Sequence, residues 1–223
     1  MNKYILTPPP SPEPRINGAK VFGVRPGSPF VFNVPATGTG PLRYAAEKLP
    51  EGLKIDSETG VITGKLEQPG THVVELVVSN SLGTARRPFR IVVGEEICLT
   101  PPMGWNSWYG CSEGVSAEQV KAVADAFVTS GLRDHGWTFV NIDDCWQGAR
   151  DPETRVLTGN ERFPDMPGLC DYVHERGLKI GIYSSPWIGT YAGFRGSTSD
   201  HPDAADPDCL PEDKRLQKHQ LFG

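Results

Sequence analysis

The stretch Trp137–Trp146, WTFVNIDDCW, constrains this chain more than any other. A short apolar run ends in two adjacent aspartates, Asp143 and Asp144, and a helix-patterned segment stands on either side of it. Strands alternating with helical segments pack as parallel βαβ units. In that architecture ligands bind at the carboxyl ends of the strands, where the loops converge on one rim. Two carboxylates at such a rim form a candidate clamp for hydroxyl groups. Neighbouring residues on an ideal strand point to opposite faces, so both acids can share a ligand only if the chain leaves the strand between them.

The flanking pattern supports this reading. From Met103 the chain runs through MGWNSW, a short strand-like entry. Ser116 and Gln119 then have the spacing of a capping box, with Val115 and Val120 at the staple positions. Val120, Val123, Ala124, Phe127 and Val128 follow the apolar stripe of a helix lying on a sheet, and Gly131 supplies its stop. A strand is predicted over 137–143, followed by the polar loop QGARDPETRVLTGNERFPDMP. A second helix carries Leu169, Tyr172 and Val173 on one face and His174 in its last turn, where a cation suits the dipole; Gly177 ends it. LKIGIYSS at 178–185 is the third strand. Three strands with two intervening helices open either a doubly wound sheet or a (β/α)8 barrel. No GxGxxG follows the first strand, which disfavours dinucleotide binding and favours the barrel.

The first hundred residues have a different period. Residues 1–14 form a Pro-rich leader, since PPPSPEP cannot continue a helix. Residues 15–94 hold short runs rich in Val, Ile, Phe and Thr, among them PFVFNV, LKID, GVITG, HVVELVVSN and RPFRIVV, broken by Gly, Pro, Asn and Asp. They predict a small antiparallel β-sandwich. Asn80 and Gly83 suit a hairpin connection with positive φ, and DSETG at 56–60 serves as a second turn. No cysteine occurs before Cys98, so any sandwich here is held by packing alone. The segment resembles the Ig-like repeats found beside catalytic or adhesive modules in bacterial surface and carbohydrate-active proteins. It reads as a spacer or docking module, with direct sugar binding the sharper alternative.

Composition narrows the partners. A net charge of −5 without a basic run argues against nucleic acid. No apolar stretch approaches the ~20 residues needed to cross a bilayer, and the N-terminus does not read as a secretory signal. The cysteines at 98, 111, 145, 170 and 209 show no CxxC spacing, and the five histidines are dispersed. Neither a metal site nor any cofactor is indicated.

PPMGWNSW, NIDDCW, RFPDMPGLCDYVHERGLKIGIY and YAGFRGS, in this order, resemble the N-terminal part of the α-galactosidase and α-N-acetylgalactosaminidase family of retaining glycoside hydrolases. The resemblance implies that residues 99–223 are the first three β/α units of a (β/α)8 barrel, truncated. It also implies that Asp143 and Asp144 accept hydrogen bonds from sugar hydroxyls at C4 and C6, in a pocket lined by Trp108 and Tyr183. A Cys111–Cys145 bridge is implied as well. The chemistry fits: a carboxylate accepts what a hydroxyl donates, each charge-assisted bond contributing on the order of 1.5–3 kcal/mol. A Trp ring can offer its apolar face to a pyranose.

Two departures stand out. Tyr191 occupies a position where members usually carry a cysteine, so the disulfide made there is not expected. The KYD motif that bears the family's nucleophile does not occur, nor does the later acid/base. No catalytic residue is therefore expected in this segment, which reads as the front of a longer enzyme, sugar-binding but inactive alone. The partner implied is a galactoside or related carbohydrate. The alternative is a non-catalytic carbohydrate-binding or adhesive protein in which the Ig-like module does the work. The domain combination suggests an exported parent.

Overall fold

The computed structural model describes residues 10–154, 156–186 and 189–196. The chain divides into two compact units: residues up to Met103 together with Phe127–Thr138, and Gly104–Ala126 together with the residues from Phe139 onward.

In the first unit the strands are β1 (Arg15–Ile16), β2 (Val21–Val24), β3 (Pro29–Asn33), β4 (Ala36–Thr37), β5 (Arg43–Glu47), β6 (Leu53–Ile55), β7 (Val61–Lys65), β8 (Gly70–Asn80) and β9 (Gly83–Val93). They make a four-stranded sheet in the order β2-β9-β8-β5, a three-stranded sheet β3-β7-β6 and the pair β1-β4. The alternation in β8 shows why: Val74, Leu76 and Val78 are fully buried, Glu75 and Val77 between them are only partly buried, and Val73 just before them stays 58% exposed. With Phe30, Phe32, Ile62, Phe89 and Ile91 they form one apolar core drawn from both larger sheets. Each fully buried side chain of this size contributes about 1.5–3 kcal/mol.

Three features depart from the sequence expectation. The sandwich is not wholly antiparallel, because β2 runs parallel to β9 with Val21 opposite Arg90 and Val24 opposite Val93. The β8–β9 hairpin forms, yet neither Asn80 nor Gly83 has a positive φ. Asn80 acts through hydrogen bonds, its Oδ1 accepting from the N–H groups of Leu82 and Gly83 at 2.9 and 3.2 Å. The 56–60 turn does use a left-handed residue, Gly60 at φ +74, while Asp56 Oδ1 accepts from Glu58 and Thr59 N–H. The third feature was not foreseen: Arg87 donates to the carbonyls of Ile16, Asn17, Gly18 and Ala19 and so staples the turn after β1. Asn17 Nδ2 also donates to the Asp134 carbonyl at 2.9 Å, tying Phe127–Thr138 to the strands of this unit.

The second unit is built on three parallel strands, β10 (Gly104–Asn106), β11 (Phe139–Ile142) and β14 (Lys179–Ile182), in that spatial order. Both helices predicted from sequence are present. α2 (Ala117–Thr129) follows a one-turn α1 (Trp108–Cys111), and α3 (Met166–Glu175) precedes β14. The capping box at α2 is formed: Ser116 N–H donates to Gln119 Oε1 at 2.9 Å and Gln119 N–H to Ser116 Oγ at 3.4 Å. Val115 and Val120 beside it are fully buried. α3 buries Leu169 and Val173 and is capped by Asp165, whose Oδ1 accepts from Gly168 N–H.

Other expectations need correction. His174 does lie in the last turn of α3, but burial there lowers its pKa below the ordinary value, which works against the cation that the position would suit. Tyr172 is not in the apolar face proper; its hydroxyl donates to Asp125 Oδ2 at 2.8 Å while the Arg176 guanidinium lies 3.4 Å over its ring. The loop read as irregular after β11 contains a hairpin, β12 (Gln147–Arg150) with β13 (Leu157–Gly159). Its residues are too polar and its strands too short for an alternation signal. Sequential adjacency of the three parallel strands is common to a barrel and a doubly wound sheet, and the order observed here fits either. Among the described residues no helix is long and apolar enough to cross a membrane.

Candidate functional site

β11 buries Val140 and Ile142 and stops at Ile142, one residue before the aspartate pair. The chain then turns on its own side chains. Asp143 N–H donates to Ser107 Oγ at 2.9 Å, Asp144 N–H to Asp143 Oδ1 at 2.8 Å, and Cys145 N–H to Asp144 Oδ1 at 2.8 Å. Cys145 sits at φ +80, a left-handed conformation that L-residues other than Gly, Asn and Asp seldom adopt. Its carbonyl is held there by Asn160 Nδ2 at 2.8 Å and Arg162 Nη2 at 2.9 Å, and Arg162 Nη1 also donates to the Glu113 carbonyl. The turn thus meets the geometric condition set by strand alternation: both acids leave the strand and open on the same space.

That space is a cavity of about 320 Å³ lined by Asn106, Trp108, Tyr109, Asp143, Asp144, Tyr183 and Tyr191. The four residues singled out from sequence, Trp108, Asp143, Asp144 and Tyr183, are brought together here. Asp144 is only 2% exposed, and its Oδ2 accepts from Ala192 N–H at 2.7 Å. Asp143 Oδ2 accepts from Asn106 Nδ2 at 2.8 Å, and Asn106 Oδ1 in turn accepts from Trp108 N–H at 2.9 Å. A carboxylate offers roughly four lone-pair sites, so the protein bonds fix each group's orientation without exhausting its capacity to accept. Tyr183 is held through its backbone, N–H to the Ile142 carbonyl and carbonyl to Trp146 Nε1, each 2.8 Å. Burial, with the nearby Asp144 charge second, raises its phenol pKa, so the hydroxyl keeps its proton.

Asn106, Tyr109 and Tyr191 were not singled out as pocket residues. Asn106 lies inside the GWNSW motif, and its position on a strand neighbouring β11 was the available signal. Tyr109 and Tyr191 carry no pattern of their own; only the fold brings them to the cavity.

The Cys111–Cys145 bridge implied by the resemblance is not formed: both are free thiols in this structure. Burial, followed by the Asp144 and Glu113 charges, pushes the Cys145 thiol up to about 11, which disfavours the thiolate that disulfide chemistry requires. Trp146 is 5% exposed and packs in the core, whereas Trp137 is 37% exposed. Trp187 and Cys209 lie outside the described residues. Among the described residues no group of three or more His, Cys, Asp or Glu side chains is placed to hold a metal ion.

Comparison with known proteins gives two matches along the chain. Residues 100–207 match the family described as Alpha galactosidase A, and residues 13–94 match the family described as "Putative Ig domain". The chain is 47% identical over 106 residues to Alpha-galactosidase A of Cellvibrio japonicus, covering 46% of this chain and 26% of that protein. It is 42% identical over 121 residues to the Alpha-N-acetylgalactosaminidase of Homo sapiens, covering 49% of this chain and 29% of that one. A solved Bacteroides fragilis structure, named a "putative alpha-galactosidase", superposes on 91% of this chain and 43% of its own length, with 39% identity and a TM-score of 0.81. The chain spans about a quarter of the length of these curated relatives. Behind its Ig-like domain, this chain carries the N-terminal part of an α-galactosidase-family domain.

Proposed function

We propose that the second unit is the sugar-binding part of an α-galactosidase-like retaining glycoside hydrolase acting on terminal α-linked galactose or a close relative of it. The three parallel strands are read as the opening β/α units of a (β/α)8 barrel, with the Ig-like domain, taken as residues 15–94, as a spacer or docking module. Asp143 and Asp144 accept hydrogen bonds from two hydroxyls of the sugar, while Trp108 and Tyr183 bear on its ring. The observation that supports this best is the convergence of these four residues on one cavity whose acids are oriented by neighbouring N–H groups. A site built to accept from a particular hydroxyl rejects an epimer that leaves the buried acceptor unpaired, a discrimination of up to about 10⁴ in favourable cases.

Retaining hydrolysis requires two carboxylates about 5–5.5 Å apart in the roles of nucleophile and acid/base. Among the described residues the acids lining the cavity are Asp143 and Asp144, and the reading assigns both to holding hydroxyls. The reacting carboxylates are then supplied from outside the described residues, and this chain by itself is expected to bind a galactoside without cleaving it.

Titration calorimetry of the chain with methyl α-D-galactopyranoside, beside an assay on an aryl α-galactoside, tests this. Binding without turnover is expected, and Asp144→Asn removes the binding. Its amide would set a donor against the N–H of Cys145 or Ala192, costing about 1–3 kcal/mol of stability as well. Turnover at an enzyme-like rate overturns the assignment of roles, and equal affinity of wild type and Asp144→Asn overturns the site.

A further inference from the structure

We propose that the rings of Tyr109 and Tyr191 form a platform for the second sugar of an α-galactosyl oligosaccharide, beside the cavity that takes the first. The inference rests on the galactoside reading and extends it from one ring to two.

Exposure grades from the floor of the cavity to its mouth. Asp144 is 2% exposed, Trp108 and Tyr183 are half-buried, Tyr191 is 51% exposed and Tyr109 is 96% exposed. Charge lies deep and aromatic surface lies at the rim. At about 320 Å³ the cavity is at the low end of the ~300–1,000 Å³ typical of ligand sites, which suits a single pyranose. In a pyranose C1 and C4 stand at opposite ends of the ring. A galactose held at its C4 and C6 hydroxyls by the two acids therefore carries its anomeric substituent toward the mouth. The next sugar leaves the cavity where Tyr109 and Tyr191 are.

The backbone beside each ring is also tied to the clamp. Tyr109 follows Trp108, whose N–H is bound to Asn106, the residue that donates to Asp143. The single turn that carries it is closed by Gly110 and Cys111 N–H donating to the Ser107 carbonyl at 3.2 and 2.8 Å. Tyr191 precedes Ala192, whose N–H donates to Asp144 Oδ2. Each rim ring thus stands next to a backbone group anchored, directly or through Asn106, to one of the two aspartates. Placement of this kind lowers the ordering cost of a contact. A Tyr ring offers the apolar C–H face of a hexose a flat surface at little rotamer cost, with its hydroxyl still in water.

The test compares methyl α-D-galactopyranoside with melibiose, in which the same galactose carries a glucose, by calorimetry on this chain and its variants. Wild type is expected to bind melibiose about three- to tenfold more tightly than the methyl glycoside. Tyr109→Ala brings that ratio to about one, whereas Tyr109→Phe, which keeps the ring, preserves it. Because Tyr109 is almost wholly exposed, its truncation does not threaten the fold. A wild-type ratio of one, a ratio that survives Tyr109→Ala, or one lost in Tyr109→Phe overturns the platform while leaving the galactose site standing. Failure of both sugars to bind overturns the galactoside reading and this inference with it.

Discussion

At the scale of single residues the aspartate turn depends on one unusual backbone position. Cys145 is a buried, non-glycine residue at φ +80, directly after the two acids. Its thiol has a pKa raised from 9.0 to about 11, by burial first and then by the charges of Asp144 and Glu113. In the unfolded chain the thiol releases its proton near pH 9, and in the folded chain only near 11, so between these values the folded state binds more protons. The stability linked to this group is therefore complete below pH 9 and is lost as pH rises toward 11. Urea unfolding of the wild type is expected to show this loss across that window, and Cys145→Ala is expected to lack it. Iodoacetamide gives a second readout: at pH 9 the exposed Cys98 alkylates readily, while Cys145 reacts slowly until the protein is unfolded. Similar alkylation rates at the two positions would sink the account.

At the scale of elements, the loop between β13 and α3 positions the turn. Asn160 and Arg162 converge on the Cys145 carbonyl, and Arg162 also reaches the Glu113 carbonyl, just before α2. Ala117 N–H, in the first turn of α2, donates to the Arg162 carbonyl at 3.1 Å. One guanidinium thus links the strand end that bears the acids to the loop leading into α2. A lysine at that position is a single point donor on a flexible stem and does not reproduce a fork that serves two carbonyls. Arg162→Lys is expected to lose about 1–2 kcal/mol of stability and to weaken galactoside binding about tenfold, with its far-ultraviolet dichroism unchanged. An undiminished affinity would show that the turn holds itself.

At the scale of the molecule, the Ig-like core and the candidate cavity draw on different residues. All five tryptophans follow residue 104, whereas the Ig-like core is built from Phe, Val, Ile and Leu. Phe89 is fully buried and its ring centroid lies 4.4 Å from that of Phe32. Phe89→Ala is expected to cost about 3–5 kcal/mol, read as an earlier loss of β-dichroism on heating, while galactoside affinity stays that of the wild type. A matching loss of affinity would mean that the Ig-like domain contributes to binding.

The sequence by itself determined what local rules can carry. Ser116 with Gln119, the glycines that end both helices, the alternation of Val74, Leu76 and Val78, and the two acids at a strand end are each legible from spacing. What depends on residues far apart in the chain was decided only by the tertiary structure. β2 pairs parallel with β9 across more than sixty residues, a register that no local pattern records. Asn106, Tyr109 and Tyr191 reach the cavity because parallel strands deliver their carboxyl ends to one rim. Cys111 and Cys145 are free thiols here; whether two cysteines bridge turns on their Cα separation and Cβ directions, which motif spacing does not supply.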